Sequence, residues 1–165
     1  MSLVIDCSMT LSWYFEDERT PARIGVLSQV ADAGAVVPAL WRLEVLNGLQ
    51  VAVRRGRITV PYRDVSLTDL RALSIAIDRG TNRQAWSGTL RLCDRFGLTP
   101  YDAAYLEVAL RRRLPLATLH GELARAAEAE NVPLVGTADR PRYHAAFGIH
   151  HRRRILVWRA AMVLH

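Results

Sequence analysis

Lysine is missing from this sequence: all 22 of its basic residues are arginine. Walker-type NTPases, haloacid-dehalogenase-like phosphatases and response-regulator receivers normally depend on a lysine at the phosphate, so the absence argues against all three. Cysteine is scarce. Cys7 and Cys93 have no metal-ligand spacing and sit in apolar neighbourhoods, which fits reduced core thiols in a cytosolic protein. No apolar run is long enough to span a bilayer and no basic-then-apolar leader opens the chain, so the expectation is a cytoplasmic protein without a membrane partner. Internal repeats are also lacking, and seven prolines and ten glycines are ordinary usage, which argues against low complexity.

What is present is a chain of 165 residues, half of them hydrophobic, enough for one well-buried domain and cramped for two. Its net charge is +6. That charge fits a surface for phosphate backbones, which arginine contacts with a planar fork, and it equally fits solvated helix faces.

Short continuous apolar runs alternate with helical stretches. Strands are expected at Leu3 to Ile5, Ala35 to Val37, Leu116 to Leu119 and Val132 to Val135, with a minor one from Ser74 to Ile77. Ser8 can cap a helix from Met9 to Asp17, and Thr20-Pro21 pairs an N-cap with proline at the first helical position. Further helices are expected at Leu40 to Arg54, Pro61 to Ala72, Asn82 to Phe96, Pro100 to Arg113 and Glu122 to Glu130. Non-alternating strands between helices indicate an α/β fold with a parallel sheet covered on both faces. From Gly136 the composition changes, so residues 1–136 form the expected domain and 137–165 a C-terminal basic and apolar extension. His144, His150 and His151 in that extension do not make a convincing metal motif.

Three acids stand out. Asp6 ends the first apolar strand, where open α/β sheets place ligands; a helix cap is the alternative, but Ser8 offers to fill it. Glu44 lies on a helix with Leu40, Trp41, Asn47 and Gly48 three or four residues away, a face that is not ordinarily solvated. Burying its carboxylate there costs several kcal/mol, roughly, unless a cation or donors compensate; Arg42 or Arg55 are the ion-pair alternatives. Gly48 leaves room for a close approach. Asp102 follows Thr99-Pro100 and approximates a capping box, so it gains weight only beside the other two.

Val4-Ile5-Asp6-Cys7-Ser8, the segment from Val37 through Trp41 and Glu44 to Asn47, and the segment from Leu98 through Asp102 and Tyr105 to Ala109 resemble the three acidic motifs of PIN domains. More narrowly they resemble the VapC-like ribonuclease toxins of bacterial toxin–antitoxin pairs, and Leu114 to Leu119 matches the strand that follows. The resemblance spans about Leu3 to Val135. It implies a PIN-like three-layer α/β/α sandwich with a central parallel sheet. It also implies a Mg²⁺- or Mn²⁺-dependent site at the strands' carboxyl ends, homodimerisation, an RNA substrate and a cognate antitoxin protein. One position departs from the pattern: the family usually has a fourth aspartate after Ala-Thr-Leu, and here it is His120. Imidazole is a poor ligand for Mg²⁺, although Mn²⁺ accepts it. Glu122 is a candidate to reach in instead.

The expected chemistry is metal-assisted hydrolysis of RNA phosphodiester bonds, with Asp6, Glu44 and Asp102 as catalytic and metal-binding residues. Ser8, Asn47 and Thr118 are candidates for supporting hydrogen bonds. Arg54, Arg55, Arg57, Arg111, Arg112 and Arg113 are candidates for the RNA backbone. The alternatives are a catalytically impaired PIN-fold module that binds RNA or antitoxin, because of His120, and a small α/β protein whose acids are all structural.

Overall fold

The computed structural model describes residues 1–136. The expected extension, 137–165, with its three noted histidines, lies outside the described residues.

The first apolar run, Leu3–Ile5, is strand β1, and all three side chains are fully buried. At about 1.5–3 kcal/mol per large aliphatic side chain, such a strand belongs in the middle of a sheet. It pairs in parallel with β2 (Ala35–Val37), Leu3 opposite Ala35, and on its other side with a strand after Pro115, Val4 opposite Leu116. Helix α1 (Cys7–Leu11) follows β1, and α2 (Pro21–Ala33) precedes β2, capped by Thr20 and stopped at Gly34. Helices α3 (Trp41–Arg54) and α4 (Val60–Ala72) follow; α4 is capped by the Thr59 hydroxyl. Among the described residues strand β3 (Ile75–Ile77) pairs with β2 alone and is the sheet edge, so the expected minor strand is present. After it come α5 (Thr81–Gln84), α6 (Leu90–Phe96), α7 (Pro100–Arg112), β4 (Leu116–Ala117) and α8 (Gly121–Ala129). The sheet order is β3-β2-β1-β4, all parallel and flanked by helices, the α/β/α architecture expected. Helix α7 crosses β1, β2 and β4, and its Ala103 to Ala109 stretch is buried throughout. Among the described residues no helix is long and apolar enough to cross a membrane.

Three local expectations are corrected. The first helix ends at Leu11 instead of Asp17. Beyond it the Trp13 and Tyr14 N–H groups turn to the carbonyls of Thr10 and Leu11, three residues back, and a separate 3₁₀ turn forms at Glu16–Glu18. The Asn82 to Phe96 helix contains a π-turn at Ala85–Thr89, where Gly88 lies against the side chains of Gln84 and Glu107. The final strand shrinks to one bridge, Leu116 with Leu134. Pro133 can accept from Leu116 N–H but has no N–H of its own to extend the ladder.

Candidate active site

Asp6 is at the carboxyl end of the central strand and 4% exposed. The expectation that Ser8 caps the next helix is reversed: Asp6 is itself the N-cap, accepting from the Met9 N–H at 2.8 Å. Ser8 instead donates its hydroxyl to the Asp6 carboxylate at 2.8 Å and accepts the Leu119 N–H at 3.0 Å. Thr118, at the end of β4, donates to Asp6 Oδ2 at 2.5 Å. Three donors thus hold one carboxylate, yet burial still raises its pKa, and Asp102 adds to the rise against the lowering by Met9, Thr118 and Ser8.

Glu44 sits in the first turn of α3 on a half-buried strip between buried Trp41 and Val45 and exposed Leu43. Trp41 anchors that turn through its indole N–H, which donates to Thr10 Oγ1 at 3.1 Å. The close approach that Gly48 permits is made by the Leu11 side chain of α1, so the glycine serves helix packing. Tyr105 of α7 donates its hydroxyl to Glu44 Oε2 at 2.5 Å. Burial, with the charges of Asp102 and Asp6, pushes the Glu44 pKa up to about 7 despite that bond. Asn47 is half-buried one turn further along α3.

Asp102 shows the capping geometry expected of it. Thr99 Oγ1 accepts the Asp102 N–H at 3.1 Å and donates to Asp102 Oδ2 at 2.7 Å. Its other oxygen, Oδ1, faces His120 Nδ1 at 3.3 Å. That bond raises the His120 pKa against the opposing effect of burial, with further upward pulls from Asp6 and Glu122. The His120 N–H also donates to Thr118 Oγ1 at 2.9 Å, so one hydroxyl links His120 to Asp6.

The structure therefore brings Asp6, Glu44, Asp102, Ser8, Thr118 and His120 into one neighbourhood. Glu122 is exposed in the first turn of α8 and lines a separate shallow cleft with Phe96, Gly97, Arg125 and Ala126. It acts on His120 as a nearby charge.

The arginine candidates for the RNA backbone stand on other parts of the fold. Arg54 lies ten residues past Glu44, roughly 15 Å along α3, with Arg55 beside it. Arg57 is bonded to Asp17 and Glu18 and stacks on Phe15. Arg111 and Arg112 pair with buried Asp78, and Arg111 also with Glu107. Arg113 ends α7 in a left-handed conformation, at the opposite end from Asp102.

Tyr105 is the member that the sequence reading missed as a site residue, although it stands in one of the quoted segments. A signal existed: a tyrosine in an otherwise apolar, buried helix needs a partner for its hydroxyl, and three residues from Asp102 it shares that helix face.

Among the described residues, no three His, Cys, Asp or Glu side chains lie close enough together to enclose a metal ion. Mg²⁺ does not require such a cage, because it keeps several waters and is typically held by one or two carboxylates plus substrate phosphates. The donor chemistry fits that mode. Asp6 and Glu44 are carboxylates whose pKa values burial raises, and among the described residues no arginine pairs with either. A cation beside them would offset their desolvation.

No protein-family model matches the sequence. Ribonuclease VapC3 of Pyrobaculum aerophilum is 28% identical over 124 residues, covering 75% of this chain and 93% of that protein. Two solved structures share the fold. PAE2754 from Pyrobaculum aerophilum superposes with a TM-score of 0.57 at 21% identity, over 76% of this chain and 84% of that one. VapBC2 from Rickettsia felis, solved bound to a DNA fragment from its promoter, superposes with a TM-score of 0.56 at 11% identity, over 81% and 97%. The chain is thus similar to a curated ribonuclease in sequence and to two solved structures in fold.

Proposed function

We propose that this chain, which resembles VapC-like PIN-domain proteins in its motifs, fold and relatives, is a metal-dependent endoribonuclease and the toxin of a toxin–antitoxin pair. The observation that carries the reading is electrostatic. Asp6, Glu44 and Asp102 come from three distant segments; burial raises the pKa of Asp6 and of Glu44, the charge of Asp102 adds to both rises, and that of Asp6 adds to the rise of Glu44. Like charges gathered in a buried setting are costly without a cation, so the arrangement calls for one.

Asp6 and Asp102 would hold Mg²⁺ or Mn²⁺, directly or through water, and Glu44 would bind the ion or orient the attacking water. When bound, the ion supplies a water of lowered pKa and offsets charge on the phosphate. The chain's own residues set the geometry. Thr118 and Ser8 fix the Asp6 carboxylate. Tyr105 engages Glu44 Oε2, which leaves Oε1 to orient the attacking water. Thr99 holds Asp102 at the first turn of α7. RNA is the substrate class that the name of the curated relative supports. The fold shared with VapBC2 supports a cognate antitoxin as partner; the homodimer belongs to the proposal through the motif resemblance alone.

The test is RNA cleavage by the full chain, purified free of antitoxin, with Mg²⁺, with Mn²⁺ and with chelator. Cleavage with an ion and none with chelator is expected. RNA binding without cleavage under any condition would favour the second reading, an impaired PIN-fold module that binds RNA or antitoxin. The pairing of His120 with Asp102, where the family usually has an aspartate, is the observation that keeps this second reading in play.

A further inference from the structure

We propose that Arg125 and the cleft it lines form a phosphate subsite for the RNA substrate, holding a backbone phosphate beside the one that is cut. The inference rests on the nuclease reading above and adds to it a contact outside the acids.

The cleft, about 260 Å³, lies between the end of α6 and α8 and is lined by Phe96, Gly97, Glu122, Arg125 and Ala126. It is smaller than the clefts that enclose a metabolite, which suits one group of a longer chain. Both of its walls run directly into the acidic site. Gly97 stands two residues before Thr99, whose hydroxyl holds Asp102, and Glu122 stands two residues after His120, whose ring faces Asp102. Two residues of extended chain span at most about 7 Å, so an RNA strand lying on the acids can continue into the cleft. Gly97 keeps this edge open. It ends α6 at a φ of 66°, where a side chain would be strained, and a Cβ there would meet nothing within 4 Å.

The lining selects an anion. Arg125 is exposed on α8 with Glu122 and Glu128 three residues to either side, within helical reach. Even so, it forms no ion pair with any carboxylate among the described residues. Arg95, next to the cleft, is already engaged: its Nη1 lies 2.5 Å from Glu130 Oε1, and its guanidinium stands over the Phe96 ring. Arg125 is therefore the guanidinium in the lining that can take a phosphate, which matches its planar fork. Glu122 opposes an anion in the same cleft. Its repulsion acts through solvent and is screened, whereas a charge-assisted contact to Arg125 is short and direct, so attraction wins.

Cleavage kinetics of a single-stranded RNA oligonucleotide by the full chain, with anisotropy binding of the same RNA over a range of salt, test this. Arg125→Gln should raise KM about tenfold, the scale of one charge-assisted hydrogen bond, with kcat unchanged. It should also reduce the slope of log K against log salt by about 0.7, one phosphate contact. Arg125→Lys keeps the charge and should restore the slope while recovering only part of KM, because it lacks the fork. Glu122→Gln should move KM the opposite way. Arg125 makes no ion pair among the described residues, so an unchanged melting temperature reports that Arg125→Gln is folded. Arg71→Gln, on an exposed arginine of α4, should leave KM and the slope as they are. Wild-type KM and slope in Arg125→Gln, a fall in kcat at constant KM, or an equal effect of Arg71→Gln overturns the subsite and leaves the nuclease reading standing. If the wild type binds RNA without cutting it, the nuclease reading falls and the salt slope alone decides the subsite. A wild type that neither binds nor cuts RNA overturns both.

Discussion

Asp6 has one observed role and one proposed role, which a single substitution can separate. As an N-cap it needs only a side-chain oxygen for the Met9 N–H, which asparagine also provides; as the metal ligand proposed above it would need its charge. Asp6→Asn should therefore keep thermal stability within about 1 kcal/mol while abolishing metal-dependent cleavage, whereas Asp6→Ala should lose cleavage and a further ~1 kcal/mol of stability. Calorimetric melting alongside the cleavage assay decides. Equal loss of stability in both variants would show that the hydrogen bonds from Thr118 and Ser8 depend on the charge more than the cap does. Tyr105 offers the complementary case, because its hydroxyl is bonded to Glu44. Tyr105→Phe should lower kcat about tenfold, from about 1.4 kcal/mol of lost orientation, with KM for RNA unchanged. A rise in KM at constant kcat would place Tyr105 in substrate binding instead.

The same short sequence pattern occurs at two strand ends and has opposite outcomes. Leu3-Val4-Ile5 precedes Asp6, and Ile75-Ala76-Ile77 precedes Asp78; both acids are buried. Asp78 receives Arg111 at 2.6 Å and Arg112 at 2.7 Å from α7, plus the Gly80 N–H at 2.8 Å. Burial alone would raise its pKa, but these partners outweigh burial and bring it down to about 2. Asp6 has hydroxyls and an amide but no guanidinium, and its pKa goes up. Asp78 thus braces the edge strand against α7, the helix that carries Asp102 and Tyr105. Because the folded value lies below the ordinary 3.8, this contribution, about 2 kcal/mol, is fully present above pH 4 and fades as pH falls towards 2. Asp78→Asn should destabilise the protein by about that amount at pH 7, and the difference from wild type should vanish near pH 2 in denaturant titrations. A difference that is independent of pH would show that shape rather than charge is what Asp78 contributes. Strand positions and helix caps were legible because their signals are local: continuous apolar runs, Thr-Pro starts, glycine stops. The partners of the acids were not. Thr118 and Asp6 are 112 residues apart, Tyr105 and Glu44 61, and only the fold decides that they meet. The length of the first helix was misread for a different reason: the backbone tightens into bonds three residues back at Trp13 and Tyr14, which apolar periodicity does not signal.

For the molecule as a whole, the net charge of +6 is misleading when spread evenly over the chain. Six of the 22 arginines and only one of the 16 acids follow Gly136, so residues 1–136 are nearly balanced. Within that balanced part several arginines are already engaged: Arg57 with Asp17 and Glu18, Arg95 with Glu130, Arg111 and Arg112 with Asp78. Composition could show that the protein suits a phosphate backbone, but not that the charge is concentrated in its last 29 residues rather than around the acids. If RNA is the substrate, much of the electrostatic part of its affinity should then come from the contiguous Arg152, Arg153 and Arg154. Each phosphate contact with a single strand contributes about 0.7 to the slope of log K against log salt. Changing the three arginines to glutamine should therefore reduce that slope by about 2 and weaken binding most at low salt. Single-turnover cleavage at saturating RNA should remain unchanged, since the acids at the site are untouched. Binding isotherms at four or five salt concentrations measure the slope directly. A slope equal to that of the wild type would move the backbone contacts back to the folded domain, with exposed Arg54, Arg55 and Arg113 as the next to substitute.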